Sequence, residues 1–488
     1  MNSEEINALE SSGFLNLTGQ TALIDSKPVT WWAEEFGLPL HVRSAEIIKG
    51  NIQAFKNVLQ KYYPHSNIHF AAKAFPYPEM LKLIASEGIG IDAASYHEMR
   101  CALEAGVPPH AIGLNGNAKE DFMIQEAIGK DILIIADNIE ELNYVNHLAQ
   151  GMHKNANALL RVSGFNVGNV TADEVLTSNS WTKFGEHIDR VKKSMEQITG
   201  FSHINLQGFH AHVGSQITTL EPFQLVLGEL INLGHLLNAH GQTCQIINIG
   251  GGYPISYFTQ SEWNDFLIRI KKGDFLWHDK LNKIEIDHHN QIKRWIGEQF
   301  YTAFPKEKML AALLQSQVMI NGKSCNVLQA LHDLGQPLLI IEPGRSIMGD
   351  SGLTLARVSH TKTVNLDHHL TILEMGITNL GEAFFGPSAR KWTILTDHQQ
   401  KDAQPFATFL AGNLCYSGDV FSPYKCLLQR KPKRDDIVMA HMTGAYDQYF
   451  FASNANAFAR PPQLLSYGPN HIITVKKRDT YEEITGVI

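Results

Sequence analysis

The feature that most constrains the fold is an alternation of short apolar segments with stretches of helical spacing, repeated eight times along the first two-thirds of the chain. The apolar segments lie at 68–72, 90–94, 111–115, 132–136, 158–162, 206–213, 245–249 and 337–341. Strands that alternate with helices pair in parallel, which predicts an α/β fold. Eight such units indicate a (β/α)₈ TIM barrel over residues 44–345, and an open doubly wound sheet is the alternative topology.

Beyond residue 345 the sequence changes in character. Segments such as LTLARVSHT, HHLTILEMG and DIVMAHMTG are β-like and are separated by turns. They predict a second, all-β domain of sandwich or barrel type over 346–488, and we expect residues 1–43 to join it. About 90 residues separate Gly252 from Glu342, which is long for one connection between strands, so 257–335 is predicted to hold a helical insertion.

Composition argues against several classes of protein. The chain has 41 Lys and Arg against 49 Asp and Glu, a net charge of −8 that opposes binding to nucleic acid. No apolar run approaches the roughly 18 residues of a membrane span, and the acidic N-terminus differs from a signal peptide. Five scattered cysteines without CxxC spacing indicate neither a disulfide framework nor a zinc site. We therefore expect a cytoplasmic protein with no metal, membrane or nucleic-acid partner.

Polar residues follow almost every predicted strand. In a barrel these C-terminal strand ends meet on one face, where barrel enzymes place their active sites. Any one such residue is more often a turn former or a helix cap, but the regularity of the pattern and the complementary chemistries favour a site. The candidates are Lys73, Asp92, Asn115, Asp137, Arg161, His210, His212, Glu342 and Arg345.

Lys73 follows an apolar strand in the segment HFAAKAF. A lysine in this position can extend to solvent, as most lysines do. A lysine held in an apolar pocket instead has a lowered pKa and becomes an amine that can form an imine. The local sequence leaves both interpretations open.

Two glycine-containing turns, IGGGYP and EPGR, follow the seventh and eighth strands and predict an anion site, because barrels often bind phosphate there. Glu342, beside them, is predicted either to pair with Arg345 or to hold a ring nitrogen protonated. His210 and His212 alternate along a strand and face the same side. No third residue has metal-ligand spacing, so an imidazole lying against a flat ring is the alternative to a metal site.

The motifs occur in the order FAAKAF, GIGIDAASYHEM, GNAK, KFG, HAHVGSQ, GGGYP, EPGR, CYSGD and GAYDQYFFASNANAFARP. This series resembles the fold-type III pyridoxal-phosphate-dependent decarboxylases, closest to diaminopimelate decarboxylase and ornithine decarboxylase-like proteins. It spans about 40–470, apart from the insertion. The resemblance implies pyridoxal 5′-phosphate as cofactor, an amino acid or amino-acid derivative as substrate, and a homodimer with shared active sites.

Carried over position by position, the resemblance implies a role for each matching residue. Lys73 matches the lysine that binds the cofactor covalently, Glu342 the partner of the pyridine nitrogen and His212 the stacked imidazole. Cys415 matches a cysteine that reaches in from the partner subunit and protonates the substrate carbon. The implied cofactor-binding residues are Lys73, Asp92, Arg161, His212, Ser215, Gly251, Gly252, Glu342, Gly344, Arg345 and Tyr446.

The substrate half of the implied site departs from the diaminopimelate decarboxylase pattern. Those enzymes usually read CESGD, SNYN and RPALYG, whereas this chain has Tyr416 for the acid, Ala455 for an aromatic, and GEAFFG with Phe385. The implied substrate residues are Arg345, Tyr416 and Phe385. A buried polar group without its partner costs roughly 1–3 kcal/mol, so we do not expect meso-diaminopimelate to be the substrate.

Two further functions stay open beside decarboxylation. An amino-acid racemase shares the architecture, and a non-catalytic regulatory relative shares the sequence pattern. Glu342 and the Cys415 motif favour decarboxylation over racemisation, while retention of Lys73 and the phosphate residues argues against a non-catalytic protein.

Overall fold

The computed structural model describes residues 8–166, 177–271, 285–286, 292–293, 300–366, 368–385, 390–397, 403–422, 424–447 and 452–486. The chain divides into two compact units. One comprises 51–254 and 302–347 and is called the barrel unit below. The other comprises 1–50, 255–301 and 348–488 and is called the β-rich unit.

Eight parallel strands close into a barrel, which confirms the predicted fold class. They are β1 Ser66–Ala71, β2 Gly90–Ala93, β3 Ile112–Leu114, β4 Leu133–Ala136, β5 Ala156–Ser163, β6 Ile204–His210, β7 Ile246–Asn248 and β8 Leu338–Ile341. Closure comes from the pairing of β8 with β1, in which Leu339 lies opposite Ser66 and Ile341 opposite Ile68. The open doubly wound alternative is therefore wrong. A short strand, Glu186–His187, adds to β5.

Helices connect the barrel strands in the order that the sequence pattern predicts. Side chains cap some of their N-termini: Ser95 accepts a hydrogen bond from the Glu98 amide, and Asn138 accepts one from the Glu141 amide. The helices of this unit and of the segment that leads into it are Ala45–Tyr62, Pro78–Ser86, Tyr96–Glu104, Asp121–Gly129, Ile139–Gly151, Ile188–Lys193, Met195–Thr199, Glu221–Ala239, Glu307–Leu314, Val327–Asp333 and Arg345–Met348.

The β-rich unit contains strands Leu40–Ser44, Gly352–Val364, His368–Leu373, Trp392–Ile394, Phe406–Ala411, Cys426–Leu428, Ile437–Ala440, Gln463–Ser466 and Ile472–Lys476. Leu40–Ser44 pairs antiparallel with Gly352–Val364 and parallel with Gln463–Ser466, so a segment from near the N-terminus lies inside this sheet. Three two-residue strands and the helix Val29–Phe36 precede it. Trp32, Val42 and Leu464 lie in one buried apolar cluster.

Part of the predicted insertion belongs to the β-rich unit. The helix Gln260–Lys271 contributes Trp263 and Phe266 to an apolar cluster that also contains Tyr424. An ion pair of 3.1 Å joins Glu262 to Lys391. The rest of the insertion, from residue 302, belongs to the barrel unit and includes the hairpin of Gln317–Ile320 and Lys323–Asn326.

Candidate active site

Polar side chains at the C-terminal ends of the barrel strands lie next to one another. Arg161 of β5 is opposite His210 of β6, and His210 is opposite Asn248 of β7. Lys73 lies in a short turn, Ala72–Ala74, directly after β1, whose last residue is opposite Asp92 of β2. The parallel barrel thus brings together residues that are far apart in the sequence.

Glu342 follows β8 and is bound by two neighbouring side chains. Its Oε1 accepts a hydrogen bond of 2.7 Å from Asn248 Nδ2, and its Oε2 lies 3.2 Å from His210 Nε2. Burial raises the pKa of Glu342, but the His210 imidazole and the Asn248 amide outweigh this effect and hold the pKa below its usual range. The carboxylate is therefore ionised at neutral pH.

The two histidines of HAHVGSQ have separate partners. Burial lowers the pKa of both, so both are neutral and His210 donates from Nε2 to Glu342. The other ring nitrogen of His210, Nδ1, is buried without a hydrogen-bond partner among the residues described here. His212 Nδ1 accepts a hydrogen bond of 2.9 Å from the Gly251 amide, which fixes the orientation of this imidazole.

The glycines of the GGG turn are needed where they stand. A Cβ at Gly251 would lie 2.4 Å from the Glu342 carbonyl oxygen, and one at Gly252 would lie 2.8 Å from the Gly214 carbonyl oxygen. Gly252 also has φ of +100°, which disfavours other residues. The turn therefore runs unusually close to the backbone that follows β6 and β8.

A side-chain contact joins one of the predicted phosphate turns to the segment that follows β6. Arg345 Nη2 donates a hydrogen bond of 3.1 Å to Ser215 Oγ, which joins the EPGR turn to the HVGSQ segment. Gly344, in the same turn, accepts from the Ile347 amide at the start of the helix Arg345–Met348. The pairing of Glu342 with Arg345, one of the two interpretations of the sequence, is replaced by hydrogen bonds from His210 and Asn248.

Asp92, Asn115 and Arg161 form a chain of hydrogen bonds across β2 to β5. Asn115 Nδ2 donates to Asp92 Oδ1 over 3.1 Å, and Arg161 Nη1 donates to Asn115 Oδ1 over 3.3 Å. Burial and the charge of Glu342 raise the pKa of Asp92 to about 8, against a lowering effect of Lys73. Burial lowers the pKa of His212 most, and the charge of Lys73 adds to that lowering.

The remaining predicted residues belong to the β-rich unit. Cys415 is exposed, and its amide donates to Asn456 Oδ1 over 2.9 Å. Tyr416 is 57% exposed, and a Cβ at Gly418 would lie 2.6 Å from its hydroxyl oxygen. Tyr446 has φ of +62°. Phe385 ends the helix Gly381–Phe385, and its side chain lies outside the described residues.

Sequence reasoning did not find the role of Asn248 in binding Glu342. An available signal was its position as the polar residue of an otherwise apolar strand, IIN, directly before the GGG turn. It also missed Phe184, whose ring lies 4.4 Å from the Arg161 guanidinium carbon. Among the described residues, no group of three or more His, Cys, Asp or Glu is placed to hold a metal, and no described helix is long and apolar enough to cross a membrane.

The chain is similar to known proteins over nearly its whole length. Residues 48–282 match the family described as pyridoxal-dependent decarboxylase, pyridoxal binding domain. The diaminopimelate decarboxylase of Staphylococcus aureus is 28% identical, with 88% of each chain covered, and that of Bacillus methanolicus is 26% identical over 91% of this chain and 92% of the relative. A crystal structure of diaminopimelate decarboxylase from M. jannaschii has a TM-score of 0.78 at 25% identity, with 97% of both chains covered.

The matches and the closed barrel define a class of enzyme that acts through a pyridoxal cofactor. The chain is similar to the pyridoxal-phosphate-dependent decarboxylases of fold type III over nearly its whole length, and the match to their pyridoxal-binding domain implies pyridoxal 5′-phosphate as the cofactor. The relatives are amino-acid carboxy-lyases and do not favour the racemase or the non-catalytic alternative.

Proposed function

We propose that this enzyme decarboxylates an amino acid or amino-acid derivative other than meso-diaminopimelate. The observation that carries the catalytic part is the buried Glu342 carboxylate, held by Asn248 and His210 on the barrel face that also carries Lys73. An anion fixed in this way is suited to a protonated ring nitrogen, because it needs no reorganisation to stabilise that charge.

The residues of the barrel unit fit pyridoxal phosphate. Lys73 is the primary amine that would hold the cofactor covalently, and the neutral imidazole of His212, fixed by the Gly251 amide, offers a flat surface. Glycine backbone that tolerates no Cβ allows close approach to a phosphate. We assign phosphate binding to Ser215, Gly251, Gly252, Gly344 and Tyr446. Arg161 and Asp92 are assigned to positions around the cofactor ring, and Arg345 is assigned to the substrate carboxylate.

When bound, pyridoxal phosphate supplies an electron-withdrawing ring that accepts the electron pair left by loss of CO₂. Glu342 remains ionised in its buried position. Its negative charge would therefore keep the ring nitrogen of the cofactor protonated. Lys73 and Cys415 are the two proton donors that we assign to the substrate carbon, since an amine and a thiol both act as general acids. His210, neutral and hydrogen-bonded to Glu342, keeps that carboxylate oriented.

The substrate part of the proposal rests on Tyr416. Its phenol stands where the resemblance places an acid, and 57% of the residue is exposed. A neutral phenol cannot form the charge-assisted contact with a distal ammonium that a carboxylate forms. Ala455 in place of an aromatic residue leaves room for a larger group. We therefore propose a substrate with a bulkier or less cationic side chain.

Steady-state kinetics test this proposal directly. CO₂ release and product mass are measured with meso-diaminopimelate, ornithine, lysine and larger amino-acid conjugates. We expect one of the larger or less cationic compounds to be preferred. A kcat/KM for meso-diaminopimelate of about 10⁴ M⁻¹s⁻¹ or higher, in the usual range for an enzyme and its substrate, would contradict the assignment of Tyr416.

We further propose a cytoplasmic homodimer with shared active sites, in which Cys415 of one copy serves the barrel of the other. The five free cysteines support a reducing compartment, and an exposed Cys415 supports its availability to a second copy. Mixing inactive Lys73→Ala with inactive Cys415→Ala protein should restore about a quarter of the wild-type activity, since random exchange leaves one intact site in each hybrid dimer. Subunit exchange without recovery of activity would show that each site is built from one chain.

A further inference from the structure

Tyr446 lies in a loop of the β-rich unit whose backbone has an uncommon geometry. Tyr446 has φ of +62°, and Met442, four residues before it, has φ of +54°. The Asp447 amide donates a hydrogen bond of 2.7 Å to the Ala445 carbonyl oxygen, so Tyr446 is the central residue of a three-residue turn. A turn of this kind with positive φ is rare and strained for a residue other than glycine, and it persists only where surrounding contacts hold it.

Arg390 contacts the loop on both sides of Tyr446. Its Nη1 donates a hydrogen bond of 2.9 Å to the Met442 carbonyl oxygen, and its Nη2 lies 2.7 Å from Asp447 Oδ2. A guanidinium group is planar and rigid, so one arginine that contacts two positions fixes the distance between them. Arg390 therefore limits the conformations open to the segment that contains Tyr446.

The ion pair between Arg390 and Asp447 is buried. The side chain of Arg390 is 3% exposed and that of Asp447 is 0% exposed. Glu382 Oε2 lies 3.1 Å from Arg390 Nη2, and the Tyr257 ring lies 5.4 Å from the guanidinium carbon. Burying charges is costly, and a buried ion pair is often no more stabilising than apolar side chains of similar volume. The pair is therefore better explained by the loop conformation that it imposes than by stability alone.

The middle of the loop is held by other contacts. The Gly444 amide donates a hydrogen bond of 3.0 Å to the Gly349 carbonyl oxygen, and Arg43 Nε donates one of 2.9 Å to the Gly444 carbonyl oxygen. These contacts do not involve Arg390. Loss of Arg390 should therefore change the conformation at Tyr446 while the rest of the loop stays in place.

We propose that Arg390 is a positioning residue for Tyr446 and that, through Met442 and Asp447, it holds the turn in the conformation that binds the cofactor phosphate. This inference rests on the proposed function, in which Tyr446 is assigned to that phosphate. The alternative is an ion pair that serves only the stability of the β-rich unit. A positioning role affects the phosphate contact alone, whereas a loss of stability affects binding of the cofactor with or without its phosphate.

The test compares Arg390→Met with the wild-type holoenzyme, each loaded either with pyridoxal phosphate or with pyridoxal, which lacks the phosphate. The dissociation constant is measured from the loss of the visible absorbance band on stepwise dilution. We expect Arg390→Met to weaken the binding of pyridoxal phosphate about tenfold, as for the loss of one charge-assisted hydrogen bond. The binding of pyridoxal should weaken less than about twofold, because it has no phosphate for Tyr446 to bind.

Arg430→Met is the matched control. Arg430 belongs to the same unit, its side chain is 4% exposed, and its Nη1 lies 2.7 Å from Asp436 Oδ2. Replacing either arginine should lower the melting temperature, because each variant takes the cation away from a carboxylate in the fold. Only Arg390→Met should change the ratio of the dissociation constants for pyridoxal phosphate and pyridoxal.

A second variant keeps the test decisive if Arg390→Met folds poorly. Arg390→Met combined with Asp447→Leu replaces the ion pair by apolar side chains, a change that often preserves or raises stability. This double variant should still bind pyridoxal phosphate about tenfold more weakly than the wild type, because the contacts on both sides of Tyr446 are gone. Wild-type affinity in a folded double variant would overturn the proposal.

Tyr446→Phe separates failure of the positioning role from failure of the proposed function. It should weaken the binding of pyridoxal phosphate about tenfold, and adding Arg390→Met should weaken it less than about twofold further, since both changes remove the same contact. Effects that multiply, or equal losses for pyridoxal phosphate and pyridoxal in Arg390→Met, would overturn the positioning role in favour of a structural ion pair. Unchanged affinity in Tyr446→Phe would contradict the assignment of Tyr446 to the phosphate in the proposed function, and the positioning role with it.

Discussion

The barrel unit and the β-rich unit hold their candidate site residues in different ways. In the barrel, Glu342, His210 and Asn248 are buried and bonded to one another through their side chains. In the β-rich unit, Cys415 and Tyr416 are exposed on a loop, and neither side chain holds that loop in place. Asp419 holds that loop by accepting hydrogen bonds from the amides of Leu414 and Ile377.

The difference indicates which part of the site can change without loss of the fold. A substitution at Glu342 would leave the buried Asn248 amide without its acceptor, and an unsatisfied buried polar group costs roughly 1–3 kcal/mol. A substitution at Tyr416 leaves the hydrogen bonds of Asp419 intact. Tyr416, one of the positions that differ from the diaminopimelate decarboxylase pattern, lies on this exposed loop.

The largest effect is expected at Lys73. Lys73→Ala removes the only amine that we assign to the cofactor, so activity should fall about 10⁴-fold or more and the visible absorbance band should disappear. Borohydride reduction of the wild type should fix pyridoxyl mass on Lys73, as shown by peptide mass spectrometry. Lys82→Ala is the control, because the side chain of this lysine is 55% exposed and pairs with the surface acid Glu79 over 2.7 Å. Label on a different lysine would contradict the assignment of the barrel site.

A smaller effect, with a gain of activity, is expected at Tyr416. Tyr416→Glu restores an acid on the exposed loop, and a charge-assisted contact with the distal ammonium contributes roughly 1.5–3 kcal/mol. The kcat/KM for meso-diaminopimelate should rise about 10-fold to 100-fold, measured by CO₂ release. Tyr416→Gln controls for size without charge and should give little increase. Equal kcat/KM values for the two variants would mean that this loop does not contact the distal group of the substrate. The exposed loop of the β-rich unit would then not determine substrate specificity.

The sequence predicted the barrel well because each of its strands is a short buried segment with its own apolar signal. It also predicted the residues at the strand ends, since strand and turn are local features. It could not predict which of these residues bond to each other. The hydrogen bonds from Asn248 to Glu342 and from Arg161 to Asn115 depend on the register between strands. The attachment of the helix Gln260–Lys271 to the β-rich unit depends on Tyr424 and Lys391, more than a hundred residues away in the chain.

The smallest effect concerns Asp92 and the dependence of stability on pH. Because the pKa of Asp92 is raised to about 8 in the folded barrel, the folded state keeps a proton that the unfolded chain releases near pH 4. Folding therefore becomes less favourable as pH rises between those values.

Asp92→Asn keeps an acceptor for Asn115 but cannot ionise. The free energy of unfolding of this variant, relative to the wild type, should therefore increase as pH rises, by up to about 1.4 kcal/mol per pH unit. Urea unfolding of the cofactor-free proteins between about pH 5 and 8 measures this difference. Asp265→Asn, at an exposed acid, is the control, and a constant difference between Asp92→Asn and the wild type would show that Asp92 is ionised throughout.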